Sequence, residues 1–201
     1  MLRLYLSKSR VQLFRGLHII IPKGCFPPLH TVSTEAMAFA LEKIGKIDGT
    51  VVEIGCGPGS LILFLARIRQ TVYLVGTDVS LECVRAARLN AIRNKVYEKV
   101  DFLVCDSGSC IRKNSATLCI TNPPFLTYEE KDVLDLSLAG GLNLENAMNM
   151  ILDCYEVVSS KGVVVYTLSD LGTGRKLRAP GKLVVSKRGL GDTLHVFILT
   201  R

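Results

Sequence analysis

Strand-like and helix-like segments alternate along this chain from residue 33 to its C terminus. The alternation predicts an α/β fold with a parallel sheet and helices on both faces, because a crossover helix usually joins successive parallel strands. Helices are predicted at Ser33–Ile44, Ser60–Ile68 and Ser80–Asn94. A long amphipathic helix is predicted to start after Asn143 and to stop at Lys161-Gly162. Strands are predicted at Thr50–Ile54, Thr71–Thr77, Val100–Cys105, Thr117–Thr121 and Val163–Leu168.

The C-terminal segment predicts two further strands, Lys182–Ser186 and Leu194–Thr200, separated only by the turn Gly189–Asp192. A turn this short cannot form a parallel crossover, so one of these strands is expected to run antiparallel to its neighbour. Residues 33–201 are interpreted as one domain. Residues 1–32 are interpreted as an N-terminal extension packed on or beside that domain; Leu2–Leu6 alternates like a short strand, and the prolines that follow disfavour regular structure.

Composition limits the class of protein. The 201 residues are 48% apolar, which is enough for one sizeable core and too little for two comfortable domains. No apolar run approaches the ~20 residues of a membrane span, and no signal-peptide pattern follows the basic start, so a soluble, cytoplasmic protein is expected. The seven cysteines include no C-x-x-C pair. Their pattern favours buried thiols over a disulfide set or a zinc site, and no metal site is expected.

Basic residues concentrate at the two ends of the chain. Residues 1–34 carry five Lys/Arg and no acid, and residues 171–201 carry seven Lys/Arg against Asp192. Two basic flanks are compatible with a negatively charged partner such as RNA or a ribosome-associated protein. Solubilising surface charge explains them equally well, because no aromatic residues are interleaved in the manner of an RNA-binding surface.

The segment from Glu53 to Gly59 reads E-I-G-C-G-P-G and lies where a strand turns into a helix. Its glycines remove side chains that would keep a ligand from the backbone, so a nucleotide-like ligand can rest on the turn and the first helical N–H groups. A tight turn without a ligand would look similar. Asp78 and Asp106, however, end the next two strands, where a carboxylate can accept hydrogen bonds from ribose hydroxyls or meet an adenine edge.

A dinucleotide-binding dehydrogenase shares much of this pattern. Its third glycine lies three residues after the second, whereas Ser60 occupies that position in this chain and Gly59 gives G-x-G-x-G. This spacing resembles the loop of class I methyltransferases, whose seven-stranded, doubly wound, Rossmann-like sheet ends in an antiparallel hairpin. The resemblance implies an S-adenosylmethionine pocket formed by Thr34, Glu53, Gly55, Gly57, Gly59, Asp78, Val79, Asp106, Ser107 and Asn122.

Asn122-Pro123-Pro124-Phe125 follows a buried strand and has the chemistry of a nitrogen-binding site. The Asn122 side-chain carbonyl and the Pro123 backbone carbonyl can accept both N–H bonds of an NH₂ group, which favours tetrahedral character at that nitrogen. Phe125 can stack on a flat amide or base. The alternative is an Asn-Pro turn that merely ends a strand. The tetrapeptide resembles the N-P-P-(Y/F) box of amino-methyltransferases, which implies catalytic roles for Asn122, Pro123 and Phe125.

A wider resemblance extends over most of the chain to the HemK-type protein-glutamine methyltransferases, in particular to their short branch that acts on archaeal and eukaryotic-type release factors. Pro28–Glu35 is similar to the P-x-x-D-T-E stretch before the first helix, and Ala139–Asn143 to the A-G-G-x-(D/N)-G opening of the long helix. Gly189–Leu199 resembles the terminal strand with its G-x-E-T-L-x-V pattern. Phe125 stands where the glutamine enzymes have tyrosine, and Leu144 replaces the last glycine of the long-helix opening.

The resemblance implies N5-methylation of the glutamine in the Gly-Gly-Gln loop of a translation release factor. It also implies a small zinc-binding activator subunit that pairs with a sheet edge, for which Val100–Val104 is suited. A second hypothesis takes an adenine or guanine amine of rRNA or tRNA as the acceptor, because N-P-P-F is frequent among RNA methyltransferases. A third is a non-catalytic binding module on the same fold, against which the intact Gly55, Gly57, Asp78 and Asn122 argue.

Overall fold

The computed structural model describes residues 6–29, 32–70, 72–129, 131–132, 135–173, 179–189 and 191–201. Its strands are β1 (Arg10–Phe14), β2 (Leu17–Ile21), β3 (Gly49–Ile54), β4 (Val72–Asp78), β5 (Val100–Val104), β6 (Ala116–Thr121), β7 (Val158–Ser169), β8 (Lys182–Arg188) and β9 (Thr193–Thr200). Its helices are α1 (Val32–Lys43), α2 (Ser60–Ile68), α3 (Leu81–Arg93), α4 (Glu145–Val157) and α5 (Asp170–Thr173), with 3₁₀ turns at Tyr97–Lys99 and Asp135–Ser137.

Strands β3 to β9 form one seven-stranded sheet in the order β5-β4-β3-β6-β7-β9-β8. The strands from β3 to β7 pair in parallel, and β9 is antiparallel to both of its neighbours. The α/β class, the doubly wound sheet and the antiparallel C-terminal pairing are therefore confirmed. The chain moves outward from β3 to β5 and then returns to β6, so the strand order reverses between β3 and β6. Doubly wound sheets form a ligand-binding crevice at the carboxyl ends of strands beside such a reversal.

Helices cover both faces of the sheet. Helices α1 to α3 pack on one face, where Leu41, Ile62 and Leu74 are fully buried in a single apolar cluster. Helix α4 covers the other face and buries Ile151 against Val164 and its neighbours. Each fully buried side chain of this size stabilises the fold by about 1.5–3 kcal/mol. Among the described residues, no helix is both long enough and apolar enough to cross a membrane.

The long amphipathic helix ends earlier than its sequence pattern predicts. Helix α4 stops at Val157, and Val158 is already extended and paired with Ala116 of β6. The predicted stop at Lys161-Gly162 is wrong: these residues lie inside β7, where the register shifts against β6. Apolar periodicity alone does not separate the last helical turn from a following β-branched strand, and sheet pairing decides the boundary.

A β-hairpin in the N-terminal extension was not predicted. Strands β1 and β2 pair in antiparallel fashion and are joined by Arg15 and Gly16, which have φ values of 48° and 78°. Two residues with positive φ form the turn type that matches the twist of a two-residue hairpin. The available signal was Gly16 between two short apolar segments; the burial pattern does not follow from the sequence, because Val11 and Leu13 are exposed. The strand predicted at Leu2–Leu6 lies almost wholly outside the described residues.

Two asparagine side chains, one in α3 and one at its C-cap, bind the outer edge of the hairpin. The Asn90 amide accepts a hydrogen bond from Ile20 N at 2.8 Å and donates one to Ile20 O at 2.8 Å. Asn94, one turn later, makes the same pair of bonds to His18 at 3.0 Å each. Asn90 also donates to Pro58 O at 2.9 Å and is fully buried. One amide therefore joins the hairpin to the glycine-rich turn.

The expectation of free buried thiols holds for only part of the cysteine set. Cys56, Cys119 and Cys154 are free and buried. Cys25 and Cys83 form a disulfide across 58 residues of chain, and Cys105 and Cys110 form a second one. The sequence expectation was wrong for these four because each pairing depends on how the fold brings distant or looped segments together.

Candidate functional site

A cleft of about 520 Å³ opens at the carboxyl edge of the sheet, beside the reversal between β3 and β6. Ile54 pairs with Thr121 in register, so the glycine turn after β3 and the Asn122 segment after β6 begin side by side. The structure brings most of the predicted site residues to this cleft. Those that line it are Gly55, Gly57, Asp78, Val79, Asp106, Ser107, Asn122, Pro123 and Phe125.

Three predicted cofactor residues do not line the cleft: Thr34, Glu53 and Gly59. Thr34 is buried in the first turn of α1. Gly59 is the N-cap of α2, and a Cβ there would lie 3.2 Å from Cβ of Ala87, so this glycine permits close packing of α2 against α3. Thr34 and Gly59 therefore contribute to packing and not to the lining of the cleft.

Glu53 lies beneath the glycine turn with 2% of its surface exposed. Its carboxylate accepts a hydrogen bond from Ile62 N at 2.8 Å, inside the first turns of α2. Burial raises the pKa of Glu53 well above its ordinary value, and the nearby Asp78 charge adds to the rise, while the Ile62 bond opposes it. The residue therefore ties the end of β3 to the start of α2.

The glycine turn is anchored by backbone bonds and by Asp78. Cys56 N donates to Thr77 O at 2.8 Å, and Gly57 N donates to the Asp78 carboxylate at 2.7 Å. Gly57 has a φ of 53°, and a Cβ there would meet nothing within 4 Å. Because Gly57 also lines the cleft, that open space belongs to the volume a ligand would fill.

Asp78 ends β4 with both carboxylate oxygens engaged. One accepts from Gly57 N and the other accepts from Ser80 N at 2.9 Å. Burial raises the pKa of Asp78, although the two backbone bonds pull it down. A carboxylate has roughly four lone-pair sites, so about two remain for hydroxyl donors in the cleft.

The loop after β5 brings a buried hydroxyl to the same cleft. Ser107 adopts a φ of 50°, and its carbonyl accepts from Thr77 Oγ1 at 2.9 Å. Its own Oγ is buried and has no hydrogen-bond partner among the described residues. A buried hydroxyl without a partner costs free energy unless a ligand or a water molecule hydrogen-bonds to it. Ser107 and the adjoining Asp106 therefore present a polar edge to a bound ligand.

The Asn122 segment forms the opposite wall. Asn122 Oδ1 accepts from Thr167 Oγ1 at 2.5 Å, and Asn122 Nδ2 donates to Ser33 Oγ at 3.3 Å. The following chain is held by Leu126 N donating to Leu138 O at 3.0 Å. A Cβ on Gly140 would lie 2.7 Å from Pro124 O and 3.3 Å from Phe125 Cα, so the 138–141 loop packs directly on these two residues. Hydrogen bonds and close packing thus hold the segment in place, as a positioning site requires.

Some residues of the cleft were not predicted from the sequence. The N-terminal extension contributes Lys23, Gly24, Cys25 and Phe26, and α4 contributes Asn146, Asn149 and Met150. Asn146 and Asn149 lie three residues apart, on one face of the amphipathic helix, and were a usable signal for the α4 side. The residues from 23 to 26 gave no such signal, because their place over the cleft depends on the Cys25–Cys83 bridge.

Comparison with known proteins agrees with this architecture. Residues 29–139 match the family model described as Methyltransferase small domain. A release factor glutamine methyltransferase of Staphylococcus aureus is 30% identical over 126 residues, which cover 62% of this chain and 43% of that protein. The chain spans about a third to a half of the length of the curated relatives it matches.

Solved structures share the fold at low identity. Pyrococcus horikoshii TYW2 in complex with MeSAdo has a TM-score of 0.65 and 12% identity, covering 96% of this chain and 71% of that one. The complex of aTrm5 with tRNALeu has a TM-score of 0.65 and 14% identity, covering 96% of this chain and 53% of that one.

Proposed function

The chain belongs to the methyltransferase small domain family, and from this premise we propose that it transfers a methyl group from S-adenosylmethionine to a nitrogen atom. S-adenosylmethionine is the cofactor of this family. When bound, it supplies a methyl group carried on a positively charged sulfur. The observation that carries the proposal is the Asn122 amide, which lines the same cleft as the glycine turn and begins beside it in the sheet.

The residues of the cleft fit this donor. Gly57 leaves open space for a ligand against the backbone, and Asp78 keeps lone pairs for the ribose hydroxyls. The unpartnered Ser107 hydroxyl suits a polar edge of the adenine. We assign direct donor contacts to Gly55, Gly57, Asp78, Val79, Asp106 and Ser107, with Asn122 at the methyl end. Thr34, Glu53 and Gly59 support these contacts without lining the cleft.

The acceptor nitrogen is held by carbonyl groups. Asn122 Oδ1 and the Pro123 carbonyl accept hydrogen bonds from its two N–H groups. No described residue hydrogen-bonds to the Pro123 carbonyl in the structure. Phe125 stacks on the flat group that carries the nitrogen. When the two carbonyl groups accept hydrogen bonds from both N–H groups, the nitrogen lone pair is freed from conjugation and directed at the methyl group.

The reaction needs no strong base at its start. The nitrogen lone pair forms the new N–C bond while the C–S bond breaks, and the bonding electrons remain on sulfur as a thioether. The nitrogen then loses one proton to water. Most of the rate acceleration is assigned to positioning, since holding two reactants in line can contribute about 7–11 kcal/mol.

The preferred acceptor is the glutamine side chain of the Gly-Gly-Gln motif of a translation release factor. The similarity to a release factor glutamine methyltransferase supports this choice, as do the sequence segments that resemble the short HemK-type branch. A small zinc-binding activator subunit is part of the same proposal. Its docking strand would be β5, which lies at the sheet edge with Leu103 and Val104 exposed.

An RNA base is the second candidate acceptor. Two features of the sequence favour an RNA acceptor: Phe125 in place of tyrosine, and the basic ends of the chain. One solved structure with the same fold is a complex with tRNA. The exocyclic amine of adenine or guanine also presents an N–H pair to the two carbonyls, so the geometry of the box serves either acceptor.

Transfer of a radiolabelled methyl group separates these acceptors. Purified release factor and total RNA from the same cells are each incubated with the protein and labelled donor, with and without any co-purifying subunit. Label in the release factor, lost when its Gly-Gly-Gln glutamine is changed to alanine, is the expected result. Label in RNA alone would overturn the protein acceptor. Label in neither, together with no binding of S-adenosylmethionine by calorimetry, would favour a non-catalytic binding module.

A further inference from the structure

Two buried hydroxyl groups from different elements hold the side-chain amide of Asn122. Thr167 lies on β7, the neighbour of β6, and donates to Asn122 Oδ1 at 2.5 Å. Ser33 lies at the start of α1 and accepts from Asn122 Nδ2 at 3.3 Å. Thr167 is fully buried and Ser33 is 1% exposed. Ser33 and Thr167 are called the hydroxyl pair below.

The placement of Thr167 follows from the sheet register. Thr121 pairs with Tyr166, so the next residue on each strand, Asn122 and Thr167, are also neighbours. The Nδ2 end of the amide donates to Ser33 at the start of α1, and α1 packs against β7 to β9. Each hydroxyl can donate or accept, so the pair holds the Asn122 side chain at both ends without choosing between its oxygen and its nitrogen. Displacing the side chain would leave both buried hydroxyls without this partner, which is costly in a site shielded from water.

The position of this amide matters for methyl transfer. Asn122 lines the cleft, whereas Thr167 and Ser33 do not. The acceptor nitrogen must lie in line with the methyl group, and a small displacement of the group that holds it costs rate.

We propose that Thr167 is a positioning residue which, together with Ser33, holds the Asn122 side chain in the place from which it binds the acceptor nitrogen. The proposal rests on the proposed function and adds to the same site two residues that do not line the cleft. Thr167 acts through its hydrogen bond to Asn122 Oδ1.

Three substitutions test the hydroxyl pair. Thr167→Val keeps the shape of the side chain and removes the donor, whereas Thr167→Ser keeps the hydroxyl. Ser33→Ala removes the weaker, longer bond. Thr117→Val is the matched control, because its hydroxyl donates to Asp48 O at 2.8 Å and Thr50 O at 3.0 Å at the opposite end of the sheet.

The first readout is methyl transfer. Thr167→Val is expected to lower kcat about 10- to 100-fold, the scale of a small misplacement of a reacting group, with the affinity for S-adenosylmethionine unchanged. Ser33→Ala should lower kcat by less, Thr167→Ser should restore it to within about threefold, and Thr117→Val should leave it unaffected. A Thr167→Val enzyme with the kcat of the wild type would overturn the proposal, as would a loss that Thr167→Ser does not rescue.

The second readout does not depend on activity. The side-chain NH₂ signals of Asn122, assigned by their disappearance in Asn122→Asp, are followed by NMR in the protein without substrate. Thr167→Val and Ser33→Ala should shift these signals and speed their exchange with solvent, and Thr117→Val should not. Unchanged signals would overturn the hydroxyl pair even if the wild type methylated both candidate acceptors. Shifted signals in a wild type that methylates neither would support the pair and refute the proposed function alone.

Discussion

Removal of the Cys25–Cys83 disulfide is expected to lower both the stability of the fold and its affinity for the donor. The bridge joins residues 58 apart and connects the segment after β2 to the first turn of α3. For that separation, the loop-closure relation gives a contribution of about 4 kcal/mol to the free energy of unfolding. Both cysteines line the cleft, so the bridge also holds one wall of it in place.

The double variant Cys25→Ala/Cys83→Ala is measured by urea denaturation and by calorimetry with S-adenosylhomocysteine. With a denaturant slope of about 2 kcal/mol per molar, the loss of stability lowers the midpoint by about 2 M. Affinity is expected to fall about tenfold, because the released segment must be ordered again when ligand binds, at a cost near 1.4 kcal/mol. Wild-type protein kept in strong reductant should show both changes.

Cys119→Ala provides the control for lost burial, since it removes a free, fully buried thiol without cutting a bridge. The double variant must be clearly less stable than this control. A urea midpoint of the double variant equal to that of Cys119→Ala would refute the loop-closure reasoning. An unchanged affinity for S-adenosylhomocysteine would show that the residues around Cys25 do not form part of the donor site.

Four other substitutions test the supporting structure. Asn90→Ala should cost about 2–4 kcal/mol in urea denaturation, because it leaves buried backbone groups of Ile20 and Pro58 without partners; a cost below about 0.5 kcal/mol would contradict that account. Gly57→Ala should cost more free energy of donor binding, measured by calorimetry, than free energy of unfolding. Gly59→Ala should cost more free energy of unfolding than of donor binding, because its Cβ crowds Ala87. Equal effects of the two substitutions would contradict the separate roles of the two glycines. Because burial raises the pKa of Glu53 in the fold, its contribution to stability is fully present below the unfolded pKa and is lost as pH rises through the folded pKa. Glu53→Gln should therefore lose less stability than the wild type as pH rises above the ordinary pKa of a glutamate, and an equal loss in the two proteins would contradict the assignment.

Much of the fold could be predicted because its signals are local. The helix Ser60–Ile68 and the Ser80 cap of α3, whose side chain accepts from Cys83 N at 3.3 Å, follow from periodicity and capping chemistry over a few residues. The Gly189–Asp192 turn, read as too short for a parallel crossover, predicted the antiparallel pairing of β8 with β9. These features depend on neighbours in sequence, so one chain is enough to reveal them.

The features that escaped prediction depend on contacts between distant segments. Asn90 reads as an ordinary polar helix residue until Ile20, 70 positions earlier, lies against it. The bridge from Cys25 to Cys83 has no local pattern. The end of α4 at Val157 is set by the pairing of Val158 with β6, not by the Lys161-Gly162 signal.

In the candidate site, too, some residues follow from the sequence and others depend on contacts between distant segments. Asp78 and Asn122 could be predicted because the ends of parallel strands meet at one sheet edge. The residues from 23 to 26 and the hydroxyl of Thr167 could not, because a disulfide and a strand register bring them to the site. Glu53 follows the loop pattern but lies behind the turn, where burial and the Ile62 bond occupy its carboxylate.

Asn122 is proposed to bind the acceptor nitrogen in a cleft that also binds S-adenosylmethionine. Single-turnover formation of S-adenosylhomocysteine by the wild type and by Asn122→Ala, with acceptor present and donor saturating, measures this role. The expected result is loss of turnover in Asn122→Ala with the donor affinity of the wild type. Turnover by Asn122→Ala at the wild-type rate would contradict the proposal, because the acceptor would then be held elsewhere.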